Sequence, residues 1–206
     1  EYLREEYADA VLLDVGSTTA DIIPLTCFED LKGLTDTRRL QKQYLVYTGM
    51  LRTNVATLLS SVTLDGIMTP VSTEYFAASA DAHLVLGHIA PVGYTCPAPD
   101  GGEKTVDAAL RRLARVVCAD MDEIGRSGAL QVARQFWEVQ RTLVVRAAGR
   151  ALFRSGAERV ITAGIGAEIF ARELAGVTLE QEIGEVADAL PAYAVREVAL
   201  RRAACD

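Results

Sequence analysis

One short run constrains this chain more than any other: Ala10-Val11-Leu12-Leu13-Asp14-Val15-Gly16-Ser17-Thr18-Thr19-Ala20-Asp21-Ile22-Ile23-Pro24. Its first half is an apolar stretch bounded by turn chemistry, which predicts a buried strand. Asp21 to Leu25 predicts a return strand, so the run is a hairpin closed by a Gly-Ser-Thr turn. Such a turn gathers several backbone N–H groups around one concavity. It is an anion cradle, and Gly16 leaves the backbone open to a phosphate. The hydroxyls of Ser17, Thr18 and Thr19 add donors. Asp14 and Asp21 repel a phosphate directly. Their chemistry is to hold Mg²⁺ or its waters, because that hard cation bridges carboxylates to phosphate oxygens. A plain hairpin whose Ser and Thr merely satisfy the turn fits the same pattern. The residues alone leave both readings open.

A second signal is Val160-Ile161-Thr162-Ala163-Gly164-Ile165-Gly166-Ala167-Glu168. A buried strand, a glycine turn and then a helix present bare backbone and a helix N-terminus to a ligand. Gly164, Gly166 and Glu168 are the candidates here, with tight strand–helix packing as the competing reading. Between the two signals lie Arg52, Glu74 and Asp81. The planar fork of Arg52 suits a carboxylate or phosphate, although a surface pair explains it equally well.

Several function classes drop out. Net charge is −7 and no Lys/Arg run exists, so the clustered basic surface of a nucleic-acid binder is missing. No apolar stretch approaches the roughly 20 residues that span a bilayer, and no signal-peptide pattern is present. Four scattered cysteines without a CxxC pair read as reduced, cytoplasmic thiols. His83 and His88 lack neighbours at zinc-ligand spacing. The signatures of serine hydrolases, zincins and P-loop enzymes are absent. A length of 206 residues suits one substantial domain, or a lobe with an insertion.

Pattern and punctuation place the remaining elements. Leu34 to Tyr47 reads as a loop or short helix. Val55, Leu58, Leu59 and Val62 recur at helical spacing, and Gly66 to Pro70 breaks that helix. Glu74 to Leu86 reads as helix and Pro91 to Gly102 as a long loop. Thr105 caps a helix carrying Val106, Leu110, Leu113, Val116 and Val117. Ser127 caps a long helix ending near Ser155-Gly156. A strand over 159–163, a helix over 167–174 and a final helix from Pro191 through Arg202 complete the reading.

Leu13 to Pro24 resembles the second phosphate motif of the hydantoinase/oxoprolinase branch of the actin/sugar-kinase/Hsp70 superfamily. Within that branch it resembles the tetrahydromethanopterin-linked C1-transfer pathway proteins. Tyr47 to Thr53, Glu74 to Asp81, and Asp100 to Thr105 followed by Arg111 to Arg115 are similar to the same group. Gly164 to Leu174 is similar to its adenosine-type motif, so the resemblance covers nearly the whole chain. Two positions depart: His83 stands where a Tyr is usual, and Ala167 separates Gly166 from Glu168.

The resemblance implies an α/β fold, an RNase H-like (actin-like ATPase) lobe built from 1–25 and 157–206, with a mostly helical insertion at 26–156. It implies a transferase of methanofuran biosynthesis that couples a furanmethanol diphosphate to the phenol of γ-glutamyltyramine and releases diphosphate. Asp14 and Asp21 then hold Mg²⁺, while Gly16, Ser17, Thr18, Thr19 and Arg52 bind diphosphate. Glu74 or Asp81 takes the phenol proton, and Gly164, Gly166 and Glu168 face a nucleotide or other ligand. Two alternatives stand beside it: an ATP-dependent amidohydrolase or kinase using the same cradle, and a non-catalytic nucleotide-binding subunit. Members of the superfamily carry a first acid-glycine phosphate motif in another lobe. A partner lobe, linked or separate, is therefore expected, as is self-association of this chain.

Overall fold

The computed structural model describes residues 2–184 and 195–200. In chain order the first elements are α1 (Tyr2–Glu6), β1 (Ala10–Val15), β2 (Ala20–Pro24), α2 (Asp36–Lys42) and β3 (Leu45–Val46). Next come α3 (Val55–Leu58), β4 (Ser61–Leu64), β5 (Ile67–Pro70), α4 (Ser79–Val85), α5 (Val106–Arg115) and α6 (Met121–Ser155). The last are β6 (Arg159–Ala163), α7 (Ala167–Leu174), β7 (Val177–Thr178) and α8 (Leu179–Ile183). The chain divides into two compact units, one of 1–47 with 144–206 and one of 48–143.

The first unit is a mixed α/β layer. Its sheet has five strands in the order β3-β2-β1-β6-β7. β1 pairs antiparallel with β2 and parallel with β6; β3 joins β2 antiparallel, and β7 joins β6 parallel. β1 is central, and every residue in it except Asp14 is buried. A central strand is an unbroken apolar run because both of its faces are covered. Leu3, Leu12, Leu25, Ile161 and Leu179 form one core on this sheet.

The second unit has its own core of Val55, Leu59, Val62, Leu110, Leu113, Val132 and Phe136. Thr105 caps α5 as the sequence predicts, accepting from the Ala108 amide at 3.3 Å. The long helix ends at Ser155 with Gly156 in the left-handed region, φ 67°. The helical run begins at Met121, ahead of the Ser127 expected to cap it, and is interrupted at Gly125, whose φ of 59° and ψ of −174° only glycine adopts cheaply.

Two expectations change. The helix read across Val55 to Val62 stops at Leu58, and β4 and β5 form a hairpin instead. Asp65 and Gly66 both take positive φ, 47° and 84°, which makes the two-residue turn that closes it. The helix read from Glu74 starts at Ser79, because Ala77 and Ala78 are held extended against Asn54 and Val55. The compact units divide at Tyr47 and Val144: α2 packs on β3, β3 on β2, and the end of α6 turns back to Lys42 and Gln43. Of the helix expected from Pro191 to Arg202, only 195–200 lies among the described residues, and it is helical.

Candidate functional site

The hairpin at the end of β1 forms as the sequence predicts. Its strands close at the pair Val15 and Ala20, and the Gly16 amide donates to the Thr19 carbonyl at 3.0 Å. Among the described residues no protein acceptor takes the amides of Ser17, Thr18 and Thr19. Ser17 and Thr18 share a hydroxyl contact of 3.3 Å. Three neighbouring donors are therefore without an acceptor among the described residues. Gly16 is not at positive φ, and a Cβ there would meet nothing closer than the Thr19 carbonyl at 3.8 Å. The turn itself does not require glycine at that position. Its value is the space it leaves.

Asp14 and Asp21 are direct cross-strand partners, so both side chains stand on one face of the sheet. Asp14 is exposed to solvent, and among the described residues no donor or cation is bound to it. Partial desolvation, and then the Asp21 charge, push its pKa above the ordinary carboxylate value. Asp21 differs. Arg39 of α2 ion-pairs with Asp21 Oδ1, and the Thr19 hydroxyl donates to Oδ2 at 3.3 Å. The sequence did not single out Arg39, because no local pattern links residue 39 to residue 21.

The glycine turn after β6 joins this site. β6 runs parallel beside β1 with Asp14 opposite Ala163, and the Gly166 amide donates to the Val15 carbonyl at 3.0 Å. Gly164 has φ 79°, and a Cβ there would stand 2.5 Å from Asp14 Oδ1 and 2.6 Å from the Val15 carbonyl. Gly164 thus packs against the acid at the strand end. Thr162, fully buried, locks the turn by donating to the Ala167 carbonyl at 2.8 Å. Glu168 is exposed and pairs with Arg172 one helical turn on, at 2.8 Å.

Arg52, Glu74 and Asp81 belong to the second unit. Arg52 and Glu74 are exposed, and Glu74 lies in the irregular segment before α4. Asp81 is 0% exposed and Arg112 1%. Arg112 reaches Asp81 Oδ1 through Nε at 2.9 Å and Nη2 at 2.8 Å. The Tyr94 hydroxyl donates to the same oxygen at 3.0 Å, and the Ala78 amide donates to Oδ2 at 2.9 Å. Asp81 is a sealed carboxylate with both oxygens engaged, which leaves Glu74 as the candidate base of the two. Arg112 is the residue the sequence missed here. Its signal was a cation on the stripe of α5 that Ala108 and Ala109 bury.

The loop carrying Arg52 is strapped down by polar contacts. Gln140 donates to Thr48 Oγ1 at 2.8 Å and to the Gly49 carbonyl at 2.9 Å, and the Gly49 amide donates to Thr53 Oγ1 at 3.0 Å. With its amide nitrogen so engaged, Gln140 accepts from His83 Nε2 at 2.8 Å. His83 Nδ1 therefore accepts from His88 Nδ1 at 2.9 Å. Burial, then His88, hold the His83 pKa down to about 3.

Among the described residues no group of three or more His, Cys, Asp or Glu is gathered around a metal position, and no helix is long and apolar enough to cross a membrane.

Residues 2–198 match the hydantoinase/oxoprolinase family. A (4-{4-[2-(gamma-L-glutamylamino)ethyl]phenoxymethyl}furan-2-yl)methanamine synthase from Methanocaldococcus jannaschii is 35% identical over 202 residues, 96% of this chain. The chain spans 60% of that relative's length. A synthase of the same name from Methanococcus vannielii is 31% identical over 174 residues, 84% of this chain and 78% of the relative. The chain belongs to the hydantoinase/oxoprolinase family.

Proposed function

We propose that this chain is the phosphate-holding part of a transferase that forms an aryl ether. It couples a furanmethanol diphosphate to the phenol of γ-glutamyltyramine and releases diphosphate. The relatives' name supports the product, because a phenoxymethyl-furan link joins a phenol oxygen to a furan-bound methylene. The single observation that carries the reading here is the open Asp14 carboxylate beside three amides, of Ser17, Thr18 and Thr19, that no described protein group takes. The strand order, three antiparallel strands followed by two parallel ones across β1, supports an RNase H-like lobe of the actin type.

The chemistry follows from the groups present. The bond from the furan methylene to the diphosphate oxygen breaks, and its electron pair leaves on diphosphate. The amides of 17–19 take up that charge, which lowers the barrier to departure. The phenol oxygen bonds to the methylene and gives up its proton. Glu74 remains the carboxylate we assign to that proton, and Arg52 the anion clamp, now that Asp81 is sealed. Mg²⁺ is held through one or two carboxylates with waters and phosphate oxygens, a donor set that Asp14 and Asp21 fit without a closed protein cage. When bound it would neutralise charge on the leaving diphosphate.

The test is to incubate the protein with an aminomethyl-furanmethanol diphosphate, γ-glutamyltyramine and Mg²⁺. Diphosphate release matched to loss of the phenol, with no requirement for ATP, is the expected result. Strict dependence on ATP hydrolysis would replace this reading with an amidohydrolase or kinase.

A further inference from the structure

We infer that Arg39 is a diphosphate-contacting residue, held on Asp21 until a phosphate group takes over part of its guanidinium. The inference rests on the reading of the hairpin as a diphosphate cradle. The two hairpin acids share one face, and Arg39 is the cation that the structure brings to them. It covers Asp21 and leaves Asp14 bare, so the face keeps an unbalanced negative charge that opposes an incoming anion.

Arg39 lies in the last turn of a helix whose end is tied down. Gln43 ends α2 in the left-handed region, φ 62°, and returns its amide to the Arg39 and Leu40 carbonyls. Arg150 holds the Gln43 side chain, and Arg154 donates to the Lys42 carbonyl at 3.1 Å. The guanidinium is therefore set one carboxylate away from the cradle: Asp21 touches Arg39 with one oxygen and the Thr19 hydroxyl with the other. Its second nitrogen, Nη1, pairs with Asp36 at 3.2 Å, a carboxylate that is 79% exposed. Such an exposed pair is weak and readily exchanged. A phosphate offers the same planar fork a better partner, with two oxygens in bidentate reach. Asp14, Asp21 and Asp36 are all negative, so Arg39 is the cation that offsets part of their repulsion of an incoming anion.

Titration calorimetry with inorganic diphosphate, with and without Mg²⁺, decides the matter. Salt at about 0.5 M shortens the screening length to a few ångströms, so that through-space effects shrink and contacts persist. Arg39→Ala should weaken binding about tenfold or more, and Arg39→Lys should recover part of the loss, since it keeps the charge but not the fork. Asp21→Asn should tighten metal-free binding, because it releases Arg39 and removes a repelling charge. When Arg39→Ala is added to Asp21→Asn, it should still cost about tenfold. If the loss vanishes in that double variant, Arg39 merely positions Asp21 and the inference is overturned. Binding by Arg39→Ala within twofold of wild type, with an unchanged melting temperature, overturns it as well while leaving the cradle reading intact. If wild type takes up no diphosphate, the cradle reading fails first and the inference with it.

Discussion

Asp14 and Asp81 are the same residue type put to opposite uses. Asp81 sits at 0% exposure with Arg112, Tyr94 and the Ala78 amide donating to it. Burial raises its pKa and those donors pull it down, while Arg112, despite its own burial, is raised by the carboxylate it holds. Every oxygen is spoken for, so nothing is left to bind a ligand or move a proton. Asp14 ends a buried strand, faces a second acid, and has no donor or cation among the described residues. A carboxylate kept open beside a like charge costs stability. One that is sealed and paired costs little unless a partner is taken away. Chemistry is to be sought at the first kind of site and folding specificity at the second.

The largest expected effect comes from breaking the sealed site. Arg112→Met leaves Asp81 buried without its countercharge and should cost about 3–5 kcal/mol of stability in the second unit. Denaturant unfolding followed by hydrogen exchange at 48–143 would measure it. A companion Asp81→Asn should recover part of the loss, since the charge that needed Arg112 is gone. A cost below about 1 kcal/mol would mean that Asp81 is not sealed, and the contrast with Asp14 would collapse.

Next is Gly164→Ala. An alanine at φ 79° carries the left-handed penalty, and its Cβ would stand 2.6 Å from the Val15 carbonyl, a backbone atom that cannot swing aside. Together these should cost about 2–4 kcal/mol and displace the end of β1 that carries Asp14. Gly16→Ala is the control, because the space exists there: its melting temperature should stay put while diphosphate affinity falls. Equal destabilisation by both variants would show that Gly16, too, serves the turn.

Acid separates the two regions in another way. His83 is held neutral in the fold with a pKa of about 3, against an ordinary value of 6.5. The unfolded chain then binds the proton first. The stability His83 contributes is fully present above about pH 6.5 and is lost as pH falls toward 3, at up to about 1.4 kcal/mol per pH unit. Urea midpoints at pH 7 and pH 5 should differ for wild type and differ less for His83→Gln. An unchanged difference would assign the acid sensitivity elsewhere.

Legibility followed locality. The β1–β2 hairpin, the Gly164 turn, the Thr105 cap and the Ser155-Gly156 stop are each written within a few residues, so they could be read. The β4–β5 hairpin was written too, in Asp65-Gly66 after the alternating run Ser61-Val62-Thr63-Leu64, but helical spacing at Val55 to Val62 outweighed it. Arg39 on Asp21 and Arg112 on Asp81 were not legible. Each contact spans many residues, and a cation on a short polar helix looks like ordinary surface. The exposure of Asp14 against the burial of Asp81 was equally hidden, because both stand beside apolar residues in sequence. Only the sheet and the α4–α5 packing distinguish them.

The smallest effect on stability, and the most telling on binding, should come from Asp14→Asn. The substitution removes a charge that is partly desolvated and set against Asp21, the two influences that raise the Asp14 pKa. The fold should therefore not suffer; the melting temperature should hold or rise by no more than about 2 °C. The sign has a second consequence. A raised folded-state pKa means that the native chain takes up this proton before the unfolded chain does, so Asp14 costs stability at neutral pH and that cost fades in acid. Binding runs the other way. Mg²⁺-dependent diphosphate affinity needs the ionised carboxylate, so in wild type it should fall as pH drops toward the raised Asp14 value. The Asp14→Asn variant should have little Mg²⁺-dependent affinity at any pH and no such decline. Calorimetry across pH 4.5 to 7.5, with both proteins melted in the same buffers, reads the two quantities together. A variant that melts several degrees lower while binding Mg²⁺ and diphosphate normally would place Asp14 with Asp81 as a structural acid. The open site would then have to be sought away from the β1 strand end.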